Sequence, residues 1–162
     1  MQELDFRNEL AALLPRLRRF ARTLAWKPED ADDLVQIAIE RALRAREQWQ
    51  PGTSLHAWVM RIMKNAWIDS LRARSREADV LAPEEAGEHV GFNETPGLIT
   101  RLSVQAAMAK LPEDQRLAVS LVLVEGLAYK EAAEVLEVPI GTLTSRLARG
   151  REALQMMLGD SK

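Results

Sequence analysis

Cysteine is absent from this chain of 162 residues, and histidine occurs only at His56 and His89. Without cysteine the chain has no disulfide and no thiolate metal site, which fits the cytoplasm. The two histidines stand far apart, and neither has a partner at metal-ligand spacing. The sequence also lacks a glycine-rich phosphate loop and a nucleophile motif. We therefore expect a protein that is not an enzyme and that needs no metal and no cofactor.

Long hydrophobic runs are missing as well. No apolar stretch approaches the roughly 20 residues that a membrane-spanning helix needs, so we expect no membrane insertion. The first residues, Met1–Phe6, lack the charged start and the apolar core of a signal peptide. Hydrophobic residues make up 47% of the chain and charged residues 28%. This balance is typical of a globular chain, here one ordinary domain or two small ones.

Charge is divided unevenly along the chain. The formal net charge is −2, which by itself does not suggest a nucleic-acid binder. Residues 41–76, however, carry eight basic side chains against only two acidic ones, Glu47 and Asp69. Nucleic-acid affinity depends on such local clusters rather than on the total charge.

Four helices are predicted in the first half of the chain. Apolar residues recur there at helical spacing, Pro15 suits the first turn of a helix, and Ser54 is a good N-cap. In the second helix Leu17, Phe20, Ala21 and Leu24 face inward, and four arginines face outward as a solvated surface. The predicted helices are Leu4–Leu14, Pro15–Trp26, Ala31–Glu47 and Leu55–Arg76.

The third predicted helix has an acidic and polar face formed by Asp32, Asp33, Gln36 and Glu40. On its opposite side Leu34, Ile37, Ala38 and Ala42 are expected to be buried. The acidic face has two interpretations that the pattern alone does not separate. It is either an ordinary solvated surface or a docking surface for a basic partner.

The fourth predicted helix has two stripes. One is a core stripe, and the other is polar and basic and can meet a nucleic-acid backbone. Within the polar stripe, an asparagine can also bind a base edge. Trp49, in the loop before this helix, is a candidate for stacking on an unstacked base. The core stripe is Leu55, Trp58, Val59, Ile62, Met63 and Ala66, and the polar stripe is Arg61, Lys64, Asn65 and Arg72.

Residues 77–96 show no periodicity and are rich in Pro, Gly and acidic residues. This composition predicts an acidic flexible linker between two helical domains. Helices are then expected at Leu98–Lys110 and at Gln115–Glu125, where Gly126 ends the second one.

The stretch Leu127–Leu154 contains two short helical patterns joined by a tight turn, as in a helix-turn-helix. Small alanines in the first pattern allow a second helix to cross closely. Glu137-Val138-Pro139 breaks the pattern, and Pro139 suits a first helical position. The buried residues are expected to be Ala132, Ala133 and Leu136 in the first helix and Ile140, Leu143, Leu147 and Leu154 in the second.

The outer stripe of the second helix consists of Thr142, Ser145, Arg146 and Arg149. Guanidinium groups can bind guanine edges in a major groove, and hydroxyls can hold phosphates. The alternative is an ordinary pair of packed helices with a solvated basic face. Glu137 stands at the turn position that is usually glycine, where a left-handed backbone costs a non-glycine residue about 1 kcal/mol.

Taken in order, these segments resemble the extracytoplasmic-function sigma factors, the two-domain class of bacterial transcription initiation factors. The resemblance covers nearly the whole chain, and several motifs in the right order carry it. They are D-A-D-D-L-V-Q at Asp30–Gln36, A-W-V-M-R-I-M-K-N-A-W-I-D-S-L-R at Ala57–Arg72, L-P-E-D-Q-R at Leu111–Arg116, and the helix-turn-helix at Leu127–Arg151.

The resemblance implies a role for each group of residues. The Asp32, Asp33, Gln36 and Glu40 face would dock on core RNA polymerase. Residues Trp49, Arg61, Lys64, Asn65 and Arg72 would read the −10 promoter element. The second domain would place Thr142, Thr144, Ser145, Arg146 and Arg149 on promoter DNA at the −35 element. Members of the family are normally held inactive by an anti-sigma factor.

Three features depart from the common family pattern. Glu137 replaces the turn glycine, Thr144 stands where many members carry lysine, and the loop Trp49–Thr53 differs from the usual base-capturing sequence. These departures concern the promoter sequence and the loop contacts and leave the class intact. Two alternatives remain beside a sigma factor. One is a sigma-like decoy that binds an anti-sigma factor without touching DNA, and the other is a stand-alone helix-turn-helix repressor.

The sequence thus predicts an all-α protein of two small helical domains. The first, at residues 1–76, binds polymerase and reads the −10 element. The second, at residues 97–162, reads the −35 element through its helix-turn-helix. The acidic linker at residues 77–96 joins them.

Overall fold

The computed structural model describes residues 3–80 and 96–159, with side chains described within 5–77 and 103–158. All regular structure in these residues is helical, which confirms the all-α prediction. A 3₁₀ turn follows α3, and π-helical turns follow α6 and α8. The α-helices are α1 (Glu3–Ala12), α2 (Leu14–Leu24), α3 (Pro28–Arg44), α4 (Leu55–Val80), α5 (Pro96–Lys110), α6 (Glu113–Val119), α7 (Tyr129–Leu136) and α8 (Ile140–Leu154).

The first four helices form a bundle in which α3 packs on both α2 and α4. Pro15 lies in the first turn of α2, as predicted, and Leu17, Phe20, Ala21 and Leu24 are all buried. Two ion pairs fasten α3 to α4. Arg41 Nη1 lies 3.2 Å from Asp69 Oδ2, and Arg74 Nη2 lies 3.3 Å from Asp30 Oδ2.

In the second half of the chain, α8 crosses α6 and α7. The crossing with α6 is close because Gly150 of α8 has no side chain. A Cβ atom built on Gly150 would stand 2.7 Å from Val119 Cγ2 and 3.4 Å from the Gln115 carbonyl oxygen. Leu143 and Leu147 lie on the same face of α8 and are buried.

The two halves share one continuous core. Helix α4 packs on α7, while α2 packs on α5, on α6 and on the π-helical turn Ser120–Val124. The buried cluster therefore contains Met63 and Trp67 of α4 together with Leu121 and Val135 of the second half. The helices before and after residues 81–95 thus pack against each other.

Several local predictions need correction. Helix α4 runs on to Val80 and α5 begins at Pro96, so both ends of the predicted linker at residues 77–96 are helical; residues 81–95 lie outside the described part. Ile37 and Ile140, expected in the core, are exposed, while Val35 is buried. Pro139 precedes α8 in extended backbone rather than starting it, with φ −63° and ψ 152°.

Candidate nucleic-acid interface

Helix α8 is the second helix of a helix-turn-helix, and the turn before it closes in a defined way. The backbone N–H of Val138 donates to the Ala133 carbonyl at 3.1 Å, and that of Glu137 donates to Glu134 at 3.1 Å. This pattern needs a left-handed residue after the helix. Glu137 adopts that conformation, with φ 61° and ψ 45°, so it occupies the position that glycine favours.

The predicted outer residues of α8 lie on its accessible side. Ser145 and Arg149 are exposed, whereas Thr142, Thr144 and Arg146 are half-buried. The Thr144 hydroxyl donates to the Gly141 carbonyl at 3.0 Å, so it is turned back onto its own helix. Arg146 Nε lies 3.5 Å from Asp114 Oδ2, which holds the guanidinium beside the start of α6.

Helix α4 carries the polar stripe predicted for the first domain. Ser54 caps the helix by accepting a hydrogen bond from the Ala57 N–H at 3.0 Å, as its sequence position predicts. Arg61, Asn65 and Arg72 are exposed. Lys64 is different, because only 4% of it is exposed. Its ammonium donates to Asn65 Oδ1 at 2.8 Å and to Glu137 Oε1 at 3.3 Å.

Trp49 does not lie open to a nucleic-acid base. It is 8% exposed, and its ring centroid is 6.0 Å from that of Phe6 in α1. Phe6 also meets Trp58 edge-on at 6.2 Å. Stacking of Trp49 on a base, as predicted from the sequence, would require α1 to uncover the indole, since the ring of Phe6 covers it in this conformation.

The acidic face of α3 is open to solvent. Asp32, Asp33, Gln36 and Glu40 are all exposed. Because α2 and α4 cover the other sides of α3, these residues form a continuous surface that a partner can reach without rearranging the bundle.

The structure brings together residues that the sequence analysis did not connect. Three carboxylates of the second half each meet donors of the first half. Glu137 lies 3.8 Å from Arg61 Nη1 and 3.3 Å from Lys64 Nζ. Glu113 accepts a hydrogen bond from the indole N–H of Trp67. The third carboxylate is Glu125.

Glu125 has a buried side chain that lies against Arg19 and His56. Arg19 donates to it at 3.0 and 3.2 Å, and His56 Nε2 lies 3.6 Å from Oε1. Burial by itself raises the pKa of the Glu125 carboxyl. The interactions with His56 and Arg19 outweigh burial and hold this pKa below its ordinary value of 4.5. Arg19 was predicted only as part of a solvated face, so its pairing corrects that interpretation.

Arg116 completes the junction between the halves. Its guanidinium donates to the carbonyls of Met108, Ala109 and Leu111, to Glu113, and across the junction to the Leu24 carbonyl at 3.3 Å. Nearby, the Ser120 hydroxyl donates to Thr23 Oγ1 at 2.7 Å. Periodicity gave no signal for these contacts. The unusual glutamate at the turn was the one feature that marked any of them.

No helix among the described residues is long and apolar enough to cross a membrane. The same part of the chain contains no cluster of three or more His, Asp or Glu side chains placed to hold a metal ion.

Comparison with known proteins identifies both halves. The family model described as Sigma-70 region 2 matches residues 10–77, and that described as Sigma-70, region 4 matches residues 101–154. The chain is 36% identical over 158 residues to the ECF RNA polymerase sigma factor EcfG of Rhodopseudomonas palustris, covering 95% of this chain and 85% of that protein. It is 31% identical over 137 residues to the ECF RNA polymerase sigma-E factor of Escherichia coli, covering 77% of this chain and 72% of that one.

A solved structure agrees with this assignment. The chain matches the sigma factor RpoE of Bartonella quintana, crystallised in complex with the anti-sigma factor NepR, with a TM-score of 0.82 and 33% sequence identity. The match covers 98% of this chain and 99% of that one. The chain belongs to the extracytoplasmic-function (ECF) sigma factors, the sigma-70-type initiation factors of bacterial transcription.

Proposed function

We propose that this sigma factor binds core RNA polymerase through α3 and directs it to promoters through α4 and α8. The observation that carries the proposal is that one chain exposes an acidic face on α3 together with basic residues on α4 and α8. The acidic face is Asp32, Asp33, Gln36 and Glu40. The polymerase supplies the chemistry of RNA synthesis, so the factor acts by binding rather than as an enzyme.

The first domain, about residues 1–76, is proposed to hold the −10 element through Arg61, Lys64, Asn65 and Arg72. Arginine and lysine position phosphates, and an asparagine amide can read an adenine edge. Bases exposed by duplex melting are available for capture at a cost of a few kcal/mol each. Trp49 would join this set once α1 uncovers its indole, as Lys64 does once α7 moves away.

The second domain, about residues 97–162, is proposed to read the −35 element through α8. Thr142, Ser145, Arg146 and Arg149 follow helical spacing, so they lie toward one groove when α8 enters it. Thr144 is a weaker member because its hydroxyl is bonded to Gly141. The segment between the domains, about residues 77–96 with helical ends, would join the two readers on polymerase.

An anti-sigma factor is the second proposed partner. The support is that the similar structure from Bartonella quintana was solved with the anti-sigma factor NepR. We place the protein in the cytoplasm, where bacterial RNA polymerase works. The decoy and repressor alternatives are less favoured, since a repressor leaves the acidic face of α3 unexplained and a decoy leaves the basic stripes of α4 and α8 unexplained.

Two charge-matched variants test the polymerase surface. Asp33→Lys reverses one charge on the α3 face, and Asp5→Lys makes the same change on exposed α1. Like charges placed across an interface weaken it strongly, so we expect Asp33→Lys to reduce affinity for core polymerase about tenfold or more. Equal affinities of the two variants in a fluorescence-anisotropy titration would contradict the assignment.

Asn65→Ala tests the −10 surface after docking. The matched control is Asn8→Ala, which removes the same amide from exposed α1. We expect Asn65→Ala to impair promoter opening while binding to polymerase stays intact, because strand capture follows docking. A permanganate footprint of the melted region that is unchanged in both variants would refute this role.

A further inference from the structure

Charged and polar side chains meet across the junction between the two domains. Three carboxylates of the second domain meet side-chain groups of the first domain, whereas Arg116 and Ser120 of the second domain donate in the other direction, to Leu24 and Thr23. Arg19 and His56 meet Glu125, Arg61 and Lys64 meet Glu137, and the Trp67 indole meets Glu113.

Glu137 differs from the other two carboxylates in what it binds. Glu113 and Glu125 take donors outside the promoter-reading set. Glu137 instead takes Arg61 and Lys64, two of the residues proposed to hold the −10 element. A carboxylate on a lysine and an arginine occupies the place that a nucleic-acid phosphate would take, because both anions use the same donors.

The packing around Glu137 makes the two uses of these donors mutually exclusive. Helix α7, which ends at Leu136, lies against α4. Only 4% of Lys64 is exposed in this arrangement, so a strand cannot reach its ammonium while α7 remains in place. The second domain must move away before the first domain can hold promoter DNA with Lys64.

The position of Glu137 in its own helix-turn-helix adds an independent indication. It is the only non-glycine residue with positive φ in the described part of the chain. This backbone costs a non-glycine residue about 1 kcal/mol, and glycine would avoid the cost. The side chain that bears this cost is the one that reaches across to Arg61 and Lys64.

We propose that Glu137 is a phosphate-mimicking latch, through which the helix-turn-helix occupies the −10-reading residues Arg61 and Lys64 and holds the free sigma factor closed. Nucleic-acid phosphates compete with Glu137 for the same donors, so DNA capture and opening of the chain are linked. The inference rests on the proposed −10 role of Arg61 and Lys64. It goes beyond that role by assigning an intramolecular competitor to these residues.

The absence of cysteine makes a direct distance measurement possible. Glu9→Cys on α1 and Lys130→Cys on α7 place one thiol on an exposed site of each domain. Dyes on these thiols report the closed and open populations of the full chain by single-molecule energy transfer. Glu137→Gln removes the latch charge and keeps the side-chain size. Glu134→Gln makes the same charge change on the exposed face of α7, which ends one residue before Glu137.

We expect Glu137→Gln to raise the ratio of open to closed chains about two- to fivefold, the range for a partly exposed ion pair. Glu134→Gln should leave the ratio unchanged. Glu137→Gly provides a second variant that also relieves the backbone cost, and it should open the chain by a similar factor. If Glu137→Gln and Glu137→Gly both keep the ratio of the Glu134→Gln control, the latch is refuted.

A second arm uses oligothymidylate, a single strand that offers phosphates without promoter sequence. A strand that competes with Glu137 should open the Glu137→Gln chain at a lower strand concentration than it opens the parent chain. Linkage predicts that the ratio of these two concentrations equals the change in the open-to-closed ratio measured in the first arm. If the parent chain and the Glu137→Gln chain open at the same oligothymidylate concentration, the competition is refuted. If Glu137→Gln opens the chain but the strand opens neither protein, the −10 role fails while the latch stands.

Discussion

Arg19 of α2 binds the buried carboxylate of Glu125 through two guanidinium nitrogens, at 3.0 and 3.2 Å, across 106 positions of sequence. The pair joins a helix of the first domain to the turn that follows α6 in the second. Because Glu125 is withdrawn from solvent, its charge has to be balanced by groups of the other domain. The junction is therefore built on specific ionic contacts as well as on apolar packing.

This pair predicts an acid-sensitive junction. The folded pKa of Glu125 lies below its ordinary value of 4.5, so its ionised form stabilises the closed chain fully above that value. The contribution is lost as the pH falls through the depressed pKa. We expect the closed fraction of the dye-labelled chain to drop below about pH 4.5, and Glu125→Gln to flatten the drop. Parallel pH profiles for both proteins would contradict this origin.

Arg116 should be one of the most costly positions to replace. Its loss removes the guanidinium donor from several backbone carbonyls and from Glu113, so we expect Arg116→Ala to lower the free energy of unfolding by about 2–4 kcal/mol. Arg116→Lys should rescue little, because an ammonium lacks the planar fork of a guanidinium. Urea denaturation measures both. Arg151→Ala, at an exposed site of α8, is the control and should stay within about 0.5 kcal/mol of the parent.

The two glycines of α8 give a matched stability test. Gly150→Ala places a Cβ 2.7 Å from Val119 Cγ2, so overpacking should destabilise the domain by about 1–3 kcal/mol despite the better helix propensity of alanine. Gly141→Ala meets nothing within 4 Å. It should be neutral or stabilising by up to about 1 kcal/mol. If thermal unfolding shows both variants to be less stable than the parent, or both to be more stable, the close crossing of α6 and α8 is contradicted.

Arg146 and Arg149 should each contribute to promoter recognition. Replacing either arginine by alanine should weaken binding to the −35 element. An arginine that reads a base should cost roughly 1–3 kcal/mol of binding free energy and relax sequence preference, whereas one that binds phosphate should reduce the salt dependence of binding. Asp114→Asn frees Arg146 from its ion pair, so it should relax sequence preference more than affinity. Promoter competition by the assembled holoenzyme measures these effects. Unchanged competition in both arginine variants would leave the stripe as a solvated face.

The helices could be predicted from the sequence because their signals are local. Apolar spacing placed the core of α2, Ser54 marked the start of α4, and the turn at Glu137 marked the helix-turn-helix. Residues whose environment depends on another part of the chain were missed. Trp49 reads as a loop aromatic until α1 covers it, and Ile37 has the spacing of a core residue but remains exposed.

The junction between the domains could not be predicted for the same physical reason. The sequence pattern around a surface arginine such as Arg19 is the same whether its side chain contacts water or Glu125. Lys64 reads as part of a polar stripe, yet α7 buries it. Only the turn glutamate carried a sequence signal, because a non-glycine residue with a left-handed backbone is uncommon.

We expect this chain to initiate transcription only when it is joined to polymerase. Few cations of either domain can meet phosphates at once in the closed chain, and strong binding needs several together. On polymerase, the two DNA-binding domains would act together, because binding by one raises the effective concentration of the other at its promoter element. The decisive measurement compares gel shifts of the free chain with transcription by core polymerase plus the chain, on one promoter library at one salt concentration. We expect poor gel shifts by the free chain and promoter-specific transcripts once core polymerase is present. Tight, specific shifts by the free chain, or no transcripts with polymerase, would contradict this expectation.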